Sequence, residues 1–382
     1  MTRKDFLKLL GILGTSLPAL SMFSSCDKKE TFSGKVLIIG AGVAGLSAGH
    51  LLKQRGIDFQ IIEASSNYGG RLKINRTFAD FPIPLGAEWL HVGTDTFTEI
   101  VNDNTTSVHV NTVKYNTGDS YGLYENGVLT LDTIGNSPDR KFVGGSWLDF
   151  FEAYIVPSVS DEIVYDSIVE SIDYAGEEIV VTTQNGTFNG NKVIVTAPLK
   201  ILQKGSKSFN PVLPSNKSDA INNATVWDGI KLFFEFSSVF YPTITDVTIP
   251  SSDDGEITIF DAAYGQNTTK NILSIFALGS ASQPYISRSG NNLRDFALSE
   301  LDRIFSNQAS PNYVKHIALN WSSQAYIEGA YLSDNETSSR VATLFESVHD
   351  KIYFAGEAYT SGNDWGGVHA AAQAAKDVVN SF

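Results

Sequence analysis

Lys35 to Arg71 reads KVLIIGAGVAGLSAGHLLKQRGIDFQIIEASSNYGGR, and this stretch decides the fold. Lys35 to Ile39 is a short apolar run, as in a strand buried on both faces of a parallel sheet, and it leads directly into Gly40, Gly42 and Gly45. The spacing is GxGxxG. Gly40 permits the tight turn, Gly42 lets the backbone approach a pyrophosphate, and Gly45 allows a helix to pack closely on the strand. The following helix, with Val43 and Ala44 at its start, aims its free N–H groups at the phosphates and runs to about Arg55, where Gly56 stops it. A second strand, Phe59 to Ile62, delivers Glu63 about 20 residues beyond the first glycine, the position from which a carboxylate accepts from ribose hydroxyls. Strand, glycine loop, helix and acid together predict a dinucleotide-binding α/β domain.

The GxGxxG loop does not distinguish a nicotinamide from a flavin dinucleotide. The distinction comes from Glu63-Ala64 followed by Gly69-Gly70-Arg71, a pattern that resembles the flavin-containing amine oxidase superfamily, which includes monoamine and polyamine oxidases and histone demethylases. That resemblance implies a Rossmann-like FAD-binding domain interleaved with a mixed α+β substrate domain, and FAD as cofactor. It implies the glycine pair and the Arg71 fork of donors beside the pyrophosphate. Leu85-Gly86-Ala87-Glu88-Trp89-Leu90-His91 resembles the family segment that lies along the flavin ring, which makes Gly86, Ala87, Glu88 and Trp89 cofactor residues and places His91 in the substrate cavity. Taken alone, His91 is a hydrogen-bonded histidine beside a turn.

Further along, Phe142 to Leu148 (FVGGSWL) resembles the family's re-entry into the FAD domain, with Ser146 in place of a methionine. Ile168 to Ile172, Ile179 to Thr183 and Lys192 to Ala197 are strand-like and resemble the family's three-stranded meander, with the Val169 backbone on adenine. Asn291 to Phe305 has the spacing of an amphipathic helix. Lys351 to Glu357 (KIYFAGE) reads as a last strand carrying Gly356 and Glu357 near the phosphates or ribityl chain. A closing helix starts around Trp365, with Gly367 and Val368 at the cofactor. The expected segments are an export signal in 1–26, FAD-binding parts in 35–84, 141–210 and 336–382, and substrate-domain parts in 85–140 and 211–335.

Lys231 lies in Gly229 to Phe236 (GIKLFFEF), an alternating strand with Ile230, Leu232, Phe234 and Phe236 on one face. By pattern alone Lys231 is an outward, solvated residue. The resemblance implies instead the lysine that holds a water against flavin N5 and assists reoxidation by dioxygen. Trp321 and Tyr331, ten residues apart in WSSQAYIEGAY, resemble the Trp that packs by the flavin and the Tyr that forms one wall of an aromatic slot for the amine. Ala330 occupies the position of a flavin-linked cysteine, so FAD is expected to be noncovalent. Gly367 stands where many members have the second aromatic wall, leaving that wall to another residue such as Trp365.

The implied reaction is amine oxidation, with hydride transfer from the amine's α-carbon to flavin N5, release of an imine, and reoxidation by dioxygen to hydrogen peroxide. A desaturase or protoporphyrinogen-type oxidase and an L-amino-acid oxidase are alternatives within enzymes. From a different class, an envelope lipoprotein that binds FAD or a ligand without turnover is the other reading. No zinc-type Cys/His spacing, nucleophile elbow or P-loop is present, and no metal is expected.

Composition agrees with an enzyme body. The 382 residues are 42% hydrophobic and 18% charged, enough for a large core in two domains. The net charge of −14 excludes nucleic acid as partner, since no basic surface offsets the phosphates. At the amino end, Arg3, Lys4 and Lys8 precede the apolar run Leu9 to Phe23, which reads as an export signal resembling the twin-arginine type. Phe23-Ser24-Ser25-Cys26 resembles a lipobox, and Cys26 is the only cysteine. The expectation is a protein of the bacterial cell envelope, held at the membrane by lipid on Cys26.

Overall fold

The computed structural model describes residues 32–205, 208–250 and 254–382; the export signal and Cys26 lie outside the described residues. Val36–Ile39 forms the centre of a five-stranded parallel sheet ordered Ile163–Val164, Phe59–Ile62, Val36–Ile39, Lys192–Val195, Ile352–Phe354. Its central strand is essentially inaccessible, which explains why the sequence there is an unbroken apolar run rather than an alternating one. The helix Val43–Gln54 returns along this sheet and packs on the last helix, Val368–Asn380. Their close approach follows from the buried face of that last helix, which includes Ala370, Ala371, Ala374 and Ala375.

The strands expected at Ile168 to Ile172 and Ile179 to Thr183 are present as Val169–Asp173 and Ile179–Thr183. The third expected strand of the meander is different. Lys192–Val195 belongs to the parallel sheet beside Val36–Ile39, and the strand that completes the meander is Gly186–Gly190. Ser208–Asn210 adds a parallel fourth strand. The sequence hides Gly186–Gly190 because GTFNG carries two glycines and an asparagine; ladder hydrogen bonds to Ile179–Thr183 outweigh its low strand propensity.

A seven-stranded sheet makes the second layer, ordered Tyr313–Asn320, Gly229–Phe236, Asn271–Gly279, Gly255–Asp261, Ile244–Val247, Ser120–Glu125, Val128–Thr133. Its core strand Gly229–Phe236 is buried at every position. Ile230, Leu232, Phe234 and Phe236 pack with Leu293, Ala297 and Leu301 of the helix Gly290–Ile304. Phe233, on the opposite face, packs with Phe78, Phe81 and Phe260. The alternation is therefore real, but both faces are covered. Ser146, in place of the family methionine, caps the helix Trp147–Tyr154 by accepting from the Asp149 N–H at 3.3 Å.

Outside the site, Lys217 is buried between two helices, Ser215–Asn223 and Ser338–Phe345, and donates to the Thr343 and Leu344 carbonyls at 2.8 Å. Burial pushes its amine down from 10.5 to about 7, against the pull of Glu346. The folded chain then binds fewer protons than the unfolded chain between those two values, so this group makes stability rise with pH across that window. Relative to Lys217→Met, the wild type is expected to gain on the order of 2 kcal/mol between pH 7 and 9. Urea unfolding of both proteins at the two pH values measures it, and an unchanged difference between them would show that the amine titrates normally.

Candidate active site

Two glycine motifs meet at the end of the central strand. The Gly69 N–H donates to the Ala41 carbonyl at 2.8 Å, and a Cβ built on Gly70 would stand 3.5 Å from the Gly42 Cα. A Cβ on Gly45 would overlap the Gly40 carbonyl, so helix and strand approach as only glycine allows, whereas one on Gly42 would meet nothing within 4 Å. The loop is thus tight toward the protein and open at Gly42, on the side where a phosphate would lie, with Val43 and Ala44 opening the helix behind it. Glu63 is held at the end of Phe59–Ile62. One carboxylate oxygen accepts from the Ala41 N–H at 2.6 Å, the other from the Ser65 N–H and Oγ at 2.8 Å, and Ala64 forms the intervening turn. Val169, buried at a strand start, is near by, since the Ser167 N–H donates to the Glu63 carbonyl at 2.8 Å. An open glycine loop at a helix N-terminus and a fixed carboxylate fit the pyrophosphate and ribose of FAD.

The distant segments converge on the same place. Arg71 donates to Glu357 Oε1 at 2.8 Å and to the Ala330 carbonyl at 2.5 Å, while Glu357 Oε2 accepts from the Leu332 N–H at 3.2 Å. One ion pair, with Glu357 buried and Arg71 half-buried, therefore joins the second glycine motif, the FAGE segment and the Tyr331 loop. Gly356 precedes Glu357, whose carbonyl accepts from the Gly366 N–H. Gly86 lies against Arg71 and Trp321, and the Trp321 Nε1–H donates to the Leu85 carbonyl at 2.9 Å. Gly367 caps the last helix and Val368 begins it.

Lys231 is 1% exposed, not solvated. Its ammonium donates to the Gly86 carbonyl at 2.8 Å and to Glu88 Oε2 at 3.1 Å. The rings of Trp89, Phe233, Phe260 and Phe276 surround it at 5.1 to 5.9 Å. Glu88 turns its side chain to Lys231 and, through Oε1 at 3.2 Å, to Lys141. Ala87, half-buried, separates Gly86 from this carboxylate. Trp89 donates to the Tyr115 hydroxyl at 2.9 Å and stands edge-on to Phe260.

Tyr331 is enclosed by Trp227, 5.7 Å away between ring centres, and Phe276 at 6.5 Å. These two rings, neither singled out in the sequence, pack on Tyr331. The Trp365 Nε1–H donates to the Ser333 carbonyl and its ring packs on the core of the parallel sheet. Gly366 lies close to Tyr331, where an added Cβ would stand 3.5 Å from the ring. The Tyr331 hydroxyl donates to Glu256 Oε1 at 3.2 Å. Burial, then Glu256 and Asp334, push this phenol well above its usual range, so it remains a donor. Burial and Asp334 raise Glu256 against the pull of Tyr331 and His91, and burial raises Asp334 as well. His91 sits at the exposed edge of this group, paired with Asp139 at 2.9 Å. No sequence pattern flags Glu256, because it stands outside every motif and reaches Tyr331 only through the register of Gly255–Asp261 in the seven-stranded sheet.

Known proteins resemble this chain in sequence and in fold. Residues 144–380 match the family described as flavin containing amine oxidoreductase, and residues 38–103 match an NAD(P)-binding Rossmann-like domain. Lysine-specific histone demethylase 2 of Homo sapiens is 23% identical over 94% of this chain and 54% of that protein. Polyamine oxidase 2 of Arabidopsis thaliana is 23% identical over 91% of this chain and 88% of its own length. The chain thus spans about half the length of the histone demethylases. A solved structure of putrescine oxidase bound to putrescine shares the fold, with a TM-score of 0.74 at 13% identity, covering 92% of this chain and 99% of that one.

Proposed function

Because this chain belongs to the flavin-containing amine oxidoreductase family and is a FAD-dependent oxidoreductase, we propose that it oxidises an amine carrying a second cationic group to the imine, with dioxygen reduced to hydrogen peroxide. Bound FAD supplies the two-electron chemistry; the chain supplies position, enclosure and charge. The observation that carries the substrate reading is a pair of carboxylates beside Tyr331, half-buried Glu256 and, at the exposed rim, Asp334. Partial loss of solvent makes each ionised carboxylate costlier, and each is opposed by a neighbouring acid: Asp334 for Glu256, Asp254 for Asp334. An arriving cation relieves that cost, whereas the carboxylate of an amino acid would add to it. Trp227, Tyr331 and Phe276 enclose the apolar carbons between the two nitrogens and exclude water from the reacting end. Putrescine, the ligand of the solved relative, has this form. Ala330 offers no sulfur for a covalent link, which supports noncovalent FAD. The amino-terminal pattern supports a lipid anchor at Cys26 in the cell envelope.

A peroxide assay over a panel of monoamines, short diamines and amino acids tests the reading. Diamines are expected to give the highest kcat/KM, and Glu256→Gln to lower it for diamines by about 10- to 100-fold, the loss of one charged hydrogen bond, while monoamines change little. A flavin that no amine on the panel bleaches under anaerobic conditions would refute amine oxidation. Equal losses for monoamines and diamines would refute only the role of Glu256.

A further inference from the structure

Three titratable side chains, Lys231, Glu88 and Lys141, are sealed together in the protein, each with a side chain no more than 3% exposed. They come from three separate segments: the strand Gly229–Phe236, the segment after Gly86 and the strand Arg140–Phe142. The remaining donors of Lys141 go to the Asp261 and Ala262 carbonyls at 2.9 and 3.2 Å. The carboxylate is thus shared, one oxygen to each lysine. Two buried cations around one anion are unstable unless the anion stays fixed between them.

We infer that Glu88 is a positioning residue for Lys231, fixing both the place and the charge of its ammonium against the Gly86 carbonyl, and that Lys141 opposes it. The inference rests on the amine oxidase reading, under which the family resemblance implies that Lys231 faces the flavin. Its physics is a balance of neighbours. Burial in the aromatic enclosure favours the neutral amine, Glu88 favours the ammonium, and Lys141 repels it. Asp261, itself buried and near Lys141, and Tyr115, hydrogen-bonded to Trp89, are the other titratable groups facing the cluster. Both bear on Lys231 less directly than Glu88, which touches it. A lysine held in this way gives the flavin a fixed neighbouring charge that does not depend on substrate, and it responds to pH only when the balance fails.

The flavin midpoint potential of the holoenzyme, followed across pH, reads this charge directly. The wild type is expected to show a fall in potential where Lys231 deprotonates, and Lys231→Met to lack that step. Glu88→Gln should move the step to lower pH by about one unit or more, a tenfold weaker hold on the proton, and Lys141→Met should move it upward. In apoprotein, unfolding stability should rise more steeply with pH in Glu88→Gln than in wild type, and less steeply in Lys141→Met. Where Glu88→Gln fails to fold, the upward movement in Lys141→Met carries the test. A step that stays in place in both variants overturns the inference while leaving Lys231 at the flavin. A step that persists in Lys231→Met removes Lys231 from the flavin and overturns the reading beneath it.

Discussion

Gly86→Ala is expected to abolish flavin retention and to cost about 3 kcal/mol or more of stability, although it adds only one methyl group. A Cβ at Gly86 would overlap the Arg71 carbonyl oxygen and stand 3.0 Å from the Trp321 ring. Backbone cannot swing aside as a side-chain tip does, so the two segments must separate. Arg71 then loses its register with Glu357, and the Gly86 carbonyl moves away from the Lys231 ammonium. One small residue thus controls both ends of the site. Flavin absorbance co-purifying with the variant and its urea midpoint measure the effect. A variant that keeps its flavin and unfolds with the wild type would show that 69–71 and 85–88 do not meet as described.

The parts of the molecule that could be read from sequence are those whose physics is local. A GxGxxG turn needs its glycines at fixed spacing, a doubly covered strand needs an apolar run, and Phe59–Ile62 has the predicted limits. The helix Gly290–Ile304 announces itself by its period and differs from expectation by one residue at each end. Long-range pairing is what sequence conceals. Lys192–Val195 has the composition of any short strand, and nothing in it says that it joins Val36–Ile39 rather than the meander. The enclosure of Tyr331 depends on Trp227 and Phe276, residues far apart in sequence, brought together by pairing of Gly229–Phe236 with Asn271–Gly279. The same register makes Lys231 a buried ammonium. Alternation alone described an outward face correctly but could not say that Phe260, Trp89 and the Lys141 side chain would cover it.

Burial of Lys231 sharpens the expected result of Lys231→Met. Removing this lysine leaves Glu88 paired with Lys141 at 3.2 Å, a neutral pair, and places an apolar side chain among four aromatic rings. Stability should therefore change by about 1 kcal/mol or less, because a hydrophobic replacement of a buried ion offsets the lost attraction by removing its desolvation cost. Function should change far more. On the proposed oxidase reaction, the ammonium near the Gly86 carbonyl stabilises charge developing on dioxygen, and removing a fixed donor of that kind slows reoxidation on the order of 100-fold. Reduction of the flavin by amine should stay within a few-fold of wild type, since Glu256, Asp334 and the aromatic rings proposed to receive the amine are untouched. Stopped-flow measurement of the two half-reactions separates these effects. Reoxidation at the wild-type rate would make Lys231 a structural partner of Glu88, equivalent to Lys141, whose role is to tie the seven-stranded sheet to the segment after Gly86.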